Sequence, residues 1–272
     1  MSQPRDLTCA PNSEITMSQQ PLDLTRASDA EIIMRCHSCR QPLLSDPSCS
    51  TKVIQISPDI VVKFGRFVKR GEFLNQKVAF QRLNPSIVRV PVPHRFIQHE
   101  SIGYLVMDFA EGEVPSVEEA LAIAPQLGRI LSHLHEIHGE TPGSLGGDTV
   151  QGVIWPDDDL IFEDRERLEE WLNIRLRRPG HRISFKDQQL VMCHLDFVPR
   201  NMVVYNGTVT LLDWSSAGYF PCIFDYIAYS FSPFDAGFFK YLRPHLQRLT
   251  DQEDKTSKDV LRALENCQIY FL

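Results

Sequence analysis

The stretch from residue 194 to residue 213 restricts what this chain can fold into more than any other part of it. It sets His194, Asp196 and Asn201 at H-x-D-x-x-x-x-N spacing and then changes character at once. Residues 203–205 and 208–212 read as strands on either side of Asn206-Gly207. Asn-Gly is a strong two-residue hairpin signal, because both central residues of a type I′ turn need positive φ. A tight hairpin reverses the chain, so its second strand returns Asp213 to the loop that carries Asp196 and Asn201. Two carboxylates and a carboxamide must then share one end of a hairpin.

Upstream, the pattern is that of a small sheet. Residues 52–56 and 60–64 have strand character around the turn Ser57-Pro58-Asp59, and residues 95–98 and 104–109 complete the sheet. Tyr104-Leu105-Val106-Met107 is apolar throughout, as a strand buried on both faces is. Residues 71–83 carry Phe73, Leu74, Val78, Phe80 and Leu83 at helical spacing, and Pro85, Pro91 and Pro93 end any helix. Ser28-Asp29 reads as the cap of a short helix. Beyond Glu111-Gly112-Glu113 the pattern turns helical. Residues 117–138 and 162–176 are amphipathic, a glycine-rich break at 143–147 lies between them, and the chain from Phe224 onward is mostly helical. The expected fold class is α+β and bilobal. Residues 1–27 read as a loose tail, 28–110 as a small antiparallel-sheet lobe, and 111–272 as a larger helical lobe holding the hairpin.

One charge inside the sheet needs an explanation. Lys63 lies in Val61-Val62-Lys63-Phe64, and burying a lone ammonium costs several kcal/mol unless it is paired. Glu72 is the only acidic residue between Lys63 and Glu100, so a Lys63–Glu72 pair is expected.

Composition removes other classes. Hydrophobic residues make up 43% and charged residues 23% of the 272, ordinary values for a globular protein. A formal charge of −7 argues against a nucleic-acid partner. The basic run Arg175, Arg177, Arg178 with Arg182 reads as the solvated end of a helix. No apolar run approaches the roughly 18 residues a membrane helix needs, and no secretory signal is visible. The seven scattered cysteines read as free thiols in a reducing cytoplasm. Cys36, Cys39 and Cys49 lack the second Cys pair of a structural zinc site. A monomer is expected.

The polar residues fit phosphoryl transfer, which needs a carboxylate near the attacking hydroxyl, metal ligands on the phosphates, and a cation paired with them. Asp196 would accept or orient the acceptor's proton, Asn201 and Asp213 would hold magnesium, and Lys63, oriented by Glu72, would meet the nucleotide phosphates. His194 reads as a support for the loop. Arg200 reads equally as a partner of Asp196 or of the acceptor and as a surface residue.

At these residues the chain resembles the aminoglycoside phosphotransferase-type enzyme family of the protein-kinase-like superfamily, in particular its fungal branch. The matching segments are Val61-Val62-Lys63-Phe64-Gly65, Val90-Pro91-Val92-Pro93, residues 104–112, Cys193-His194-Leu195-Asp196, Pro199-Arg200-Asn201 and residues 212–221. The resemblance implies a two-lobed kinase-like fold with ATP in the cleft and the backbone of Met107 to Phe109 meeting the adenine. It implies ATP and Mg2+ as cofactors and a small-molecule hydroxyl as acceptor. Two positions depart from the pattern. Leu195 stands where many members have glycine, which the loop is expected to tolerate. No glycine-rich loop precedes Lys63, and Ser57-Pro58-Asp59 is read in its place. Asp213-Trp214 is not Asp-Phe-Gly and no Ala-Pro-Glu follows, which argues against protein substrates. The competing reading is a catalytically inactive kinase-fold protein that binds a nucleotide or metabolite. A polycationic acceptor would need acidic residues, for which Asp225 and Asp157-Asp158-Asp159 are candidates. The triplet reads more readily as a solvated loop, so the acceptor stays open.

Overall fold

The computed structural model describes residues 22–38, 41–155, 160–231 and 236–270, so Cys39, Asp157-Asp158-Asp159 and most of the expected tail lie outside the described residues. Its first part is an antiparallel sheet of β1 (Lys52–Ser57), β2 (Ile60–Gly65), β3 (Pro93–His99) and β4 (Ile102–Asp108), in the order β1-β2-β4-β3. Two helices sandwich it, α1 (Asp29–Cys36) and α2 (Arg70–Arg82). Strand alternation assigns the faces. Ile54, Ile56, Val62, Phe64, Tyr104 and Val106 share a core with Ile32 and Cys36 of α1. Lys63, opposite Val53 and Leu105 in register, has the other parity and faces α2. Tyr104, Leu105 and Val106 are buried because each face of the sheet has its own helix. Arg95 holds α1 in place by donating to Leu24 O (2.6 Å), Ala27 O (3.0 Å) and Asp29 Oδ1 (2.9 Å). Leu22 and Leu24, expected in the tail, pack on this core.

α2 turns an unexpected face to the protein. Glu72, Asn75, Gln76 and Ala79 are buried, whereas Phe80, expected on the apolar face, is 45% exposed. These four residues fall at i, i+3, i+4, i+7, one stripe of a helix. The stripe is mostly polar, so its burial depends on partners elsewhere in the chain.

The second part opens with α3 (Val117–Ala122), capped by a Ser116–Glu119 box, and α4 (Ala124–His135). The single helix expected over 117–138 is broken at Ile123, because Pro125 lacks an N–H and fits only the first turn of a new helix. α4 buries Leu127, Ile130, Leu131 and Leu134, each worth about 1.5–3 kcal/mol of apolar burial. Next come β5 (Gly143–Ser144), α5 (Arg165–Leu176), β6 (Val191–Cys193), the hairpin β7 (Met202–Tyr205) and β8 (Thr208–Leu211), and β9 (Gly218–Phe220). α6 (Ile223–Ala228), α7 (Ala236–Leu242) and α8 (Asp251–Tyr270) come last in the chain, and β9 pairs between β5 and β6. No helix among the described residues is long and apolar enough to cross a membrane.

Three connections fix how the second part meets the sheet. Asn206 and Gly207 have φ of 49° and 75°, as a type I′ turn demands. Both edges of the β7–β8 hairpin are bonded to the chain entering and leaving the sheet, Arg89 to Val209 and Leu211, Glu113 to Val204. The break at 143–147 is a strap pressed against α2. A Cβ on Gly146 would lie 2.3 Å from Leu74 Cβ, so this approach requires glycine. The basic run is more than a solvated helix end: Arg175 lies 3.9 Å over the Trp171 ring and Arg178 pairs with Asp259 of α8 at 3.1 Å.

Candidate active site

β6 leads directly into the loop of His194, Asp196 and Asn201. At Leu195 the backbone enters the left-handed region (φ 63°), which costs a non-glycine residue about 1–2 kcal/mol. The surroundings enforce it. The Leu195 side chain is buried, its N–H donates to Asp225 Oδ1 (2.9 Å), and Asp225 Oδ2 is 2.9 Å from His135 Nε2. The Tyr229 hydroxyl holds the same loop by donating to Phe197 O (2.6 Å).

His194 has no nitrogen left for chemistry. Nε2 donates to Leu212 O (3.0 Å) and Nδ1 accepts the Asp196 N–H (3.3 Å). One donating and one accepting nitrogen define a neutral imidazole. Burial holds its pKa below the usual histidine value, although three nearby carboxylates oppose the shift. Asp196 Oδ1 accepts from Arg200 Nη2 (2.8 Å) and Oδ2 from Asn201 Nδ2 (2.7 Å), both carried on the single turn Pro199–Asn201. Arg200 is thus a partner of Asp196. Burial raises the Asp196 pKa, partly offset by the Arg200 charge. The Leu212 N–H donates to Asn201 O (2.8 Å), which ties the end of the hairpin to the loop and sets Asp213 beside it.

Asp213, itself at φ 57°, is held on both oxygens. Oδ1 accepts from Ser215 Oγ (2.8 Å) and Oδ2 lies 2.9 Å from Lys63 Nζ. Lys63 Nζ also pairs with Glu72 Oε1 at 2.7 Å. The expected Lys63–Glu72 pair is therefore one arm of a bridge in which a single ammonium stands between two carboxylates. Burial pulls the Lys63 pKa down, but Asp213 and Glu72 outweigh it and the net shift is upward. Asp213 is 32% exposed on its side chain, and although burial works against it, Lys63 and Ser215 hold it down to about 2. Glu72, 2% exposed, is pushed up to about 7 by burial, with Lys63 only partly offsetting it.

This makes Glu72 the group that takes up a proton. Between its ordinary 4.5 and about 7, the folded protein keeps a proton that the unfolded chain has released. Glu72 therefore contributes stability that is lost as pH rises through that window. Glu72→Gln is expected to flatten the fall, and urea midpoints at pH 5 and pH 7.5 would read it; an unchanged difference between them would remove Glu72 as its source.

Two sequence assignments change. Met107 lies within the sheet ladder opposite Val61, its sulfur 3.3 Å from Gln76 Nε2. The Phe109 N–H donates to Asp59 O (2.7 Å) and the Asp108 N–H to Val92 O (3.1 Å). The sheet thus consumes the N–H groups of Asp108 and Phe109, and the connector to the second lobe begins at Ala110. Ser57-Pro58-Asp59 consequently sits at the Phe109 end of the sheet, away from Lys63. At the Lys63 end lies the loop of residues 45–51, preceded by a bridge from Leu43 to Ile54 too short for any periodicity to show. This serine-rich loop is closed by Ser48 N–H and Oγ on Asp46 Oδ1 (2.7 and 2.6 Å) and by the Val53 N–H on Ser45 Oγ (3.1 Å). It carries the exposed thiol of Cys49, while Cys36, the last residue of α1, is buried against the sheet.

Sequence reasoning missed Asn75, Gln76, His135 and the anchoring role of Asp225. The available signal was the periodicity of Glu72, Asn75, Gln76 and Ala79 on α2. His135, Cys193 and Asp225 place donor atoms within 4.8 Å of one another. Both Asp225 oxygens already have partners, and burial drives the Cys193 pKa up, so the cluster reads as a hydrogen-bonded core.

Comparison with solved structures identifies the architecture. The aminoglycoside phosphotransferase APH(4)-Ia is 14% identical with a TM-score of 0.55, covering 88% of each chain. A thermostable mutant of that enzyme, in a ternary complex with ADP and hygromycin B, is 12% identical with a TM-score of 0.52 and covers 86% of this chain and 85% of that one. The GDP and kanamycin complex of APH(2")-IIia is 14% identical with a TM-score of 0.50 and covers 83% of both. At such identities the likeness establishes the α+β, bilobal kinase-like fold. A comparison with curated proteins found no match. The profile of the phosphotransferase enzyme family, APH, matches residues 50–253, and the chain belongs to that family.

Proposed function

We propose that this protein is an ATP- and magnesium-dependent phosphotransferase acting on a hydroxyl of a small molecule. The observation that carries this reading is the bridge from Glu72 through Lys63 to Asp213, tied by the Leu212–Asn201 bond to the loop of Asp196. It sets a fixed cation, a candidate metal-binding carboxylate and a candidate base side by side, the set that phosphoryl transfer requires. The donor chemistry fits magnesium. Asn201 spends its Nδ2 on Asp196, which leaves its carbonyl oxygen, and Asp213 is ionised at neutral pH. Hard oxygen ligands of this kind suit Mg2+, which when bound would neutralise phosphate charge. Lys63 would orient the phosphates, with the loop of residues 45–51 nearby and the adenine edge against the segment from Asp108 to Ala110, flanked by Met107 and Phe109. Asp196 would take the acceptor's proton, since its carboxylate is 30% exposed and opens on a narrow recess bounded by Val153, Val198 and Ala228. In this reading residues 28–110 form the nucleotide-side lobe and residues 111–272 the catalytic and acceptor-side lobe. The relatives whose structures hold hygromycin B or kanamycin make a polyhydroxylated acceptor reasonable without specifying it.

The test combines binding and turnover. Mg-ATP is expected to raise the melting temperature by several degrees, and labelled ATP is expected to mark one compound in a panel of hydroxylated metabolites and aminoglycosides. Stabilisation without transfer to any acceptor would favour the nucleotide-binding alternative. Absence of both would overturn the reading.

A further inference from the structure

We propose that Asn75 is a positioning residue that locks α2 to the Asp213 turn, so that the Glu72–Lys63–Asp213 bridge is assembled before any nucleotide arrives. Asn75 is 1% exposed and sits one helical turn after Glu72, on the same buried stripe. Its Nδ2 donates to Trp214 O and to Ala217 O, both at 3.0 Å. Its Oδ1 accepts from Ser144 Oγ (2.7 Å) and from the Gly146 N–H (2.9 Å). The carboxamide has two donors and one acceptor oxygen with two lone pairs, and here both ends are engaged with different segments of the second lobe. One end grips the turn that begins at Asp213; the other grips the strap that presses Gly146 against Leu74.

The consequence is mechanical. A helix carrying Glu72 could in principle swing away and release Lys63, which would dismantle the cation site. Here such a swing must break the bonds of the Asn75 carboxamide to Trp214 O, Ala217 O, Ser144 Oγ and the Gly146 N–H and strip a 1% exposed carboxamide of its partners in the second lobe, which is strongly disfavoured. The same bonds fix the backbone on which Asp213 stands. The inference rests on the phosphoryl-transfer reading for its catalytic meaning, while the latch itself is a property of the free protein.

Two readouts separate these. Asn75→Asp keeps the shape and the acceptor side but loses the donor to the two carbonyls. Amide exchange over residues 213–218 is expected to accelerate by about tenfold or more in the free protein, as local opening becomes easier. On the acceptor found for the wild type, kcat is expected to fall by about tenfold to a hundredfold, with the acceptor KM within about twofold. Ala79→Gly, which weakens α2 without touching the latch, is the control for general destabilisation and is expected to leave exchange at 213–218 near that of wild type. Should Asn75→Asp fail to fold, Ser144→Ala removes one bond to Oδ1 and is expected to accelerate exchange over residues 143–147 relative to the same control. Exchange and kcat equal to those of the control would overturn the proposal. If wild type transfers phosphate to nothing, the catalytic reading fails, and the exchange experiment still decides the latch.

Discussion

Lys63→Met is expected to lower both stability and turnover, and to do so more at pH 8 than at pH 5.5. The substitution removes the cation that stands between Glu72 and Asp213. Asp213 can turn to solvent, but Glu72 is 2% exposed and cannot. Removing one partner of a buried ion pair typically costs about 3–5 kcal/mol, because the other charge is left uncompensated. Glu72 can escape part of that cost by taking a proton, since its pKa is already about 7 with Lys63 present. Without Lys63 that pKa rises further. The folded form then holds a proton that the unfolded chain has lost above 4.5, so destabilisation grows with pH across the neutral range. Denaturant titrations at the two pH values would measure this. The double variant Lys63→Met with Glu72→Leu is expected to recover stability, because an apolar pair can replace a buried ionic one. It is not expected to recover turnover, which loses about a hundredfold or more with the cation. Recovery of activity in the double variant would show that Lys63 serves only the fold.

Asp196→Asn is expected to leave the fold intact and reduce kcat by about 10²–10⁴-fold, the range for a positioned base. The carboxamide is close to isosteric and can still accept from Arg200 or Asn201, so the loop retains most of its support. What it cannot do is take a proton. The fall is expected in kcat more than in KM, and Mg-ATP stabilisation should persist. A variant that still transfers phosphate within about tenfold of wild type would move the base elsewhere and reduce Asp196 to an orienting group. The two substitutions differ in kind: Lys63→Met disturbs a buried electrostatic balance, Asp196→Asn only the chemistry.

Much of this site is legible in the sequence. A charge inside an apolar strand has to be matched, and with a single acidic residue available before Glu100 the partner of Lys63 is nearly determined. The Asn206-Gly207 turn requires a reversal that sets Asp213 near Asn201, and the Leu212–Asn201 bond is its physical form. Other features cannot be read there. The polar stripe on α2 is masked by Phe73, Leu74 and Phe80, because apolar periodicity is a sound guide only when burial is driven by apolar area. The break at Pro125 hides inside a convincing amphipathic pattern. The Lys63-end loop follows a strand reduced to one bridge, so the turn Ser57-Pro58-Asp59 stands out in its place.

The His194–Asp213 stretch and the Lys63–Glu72 pair were determined by the sequence itself, because turn chemistry and charge matching act between residues whose identities are visible. The grip of Asn75, the anchoring of Leu195 by Asp225 and the second arm of the Lys63 bridge were decided by the tertiary structure alone. Asn75 bonds carbonyls 139 and 142 positions away, and Asp225 bonds the N–H of a residue 30 positions back. Every residue but proline carries those backbone N–H groups, and every residue the carbonyls, so no side-chain pattern marks which will be chosen. Only the packed chain, by bringing these carbonyls and this N–H within reach of Asn75 and Asp225, makes the choice.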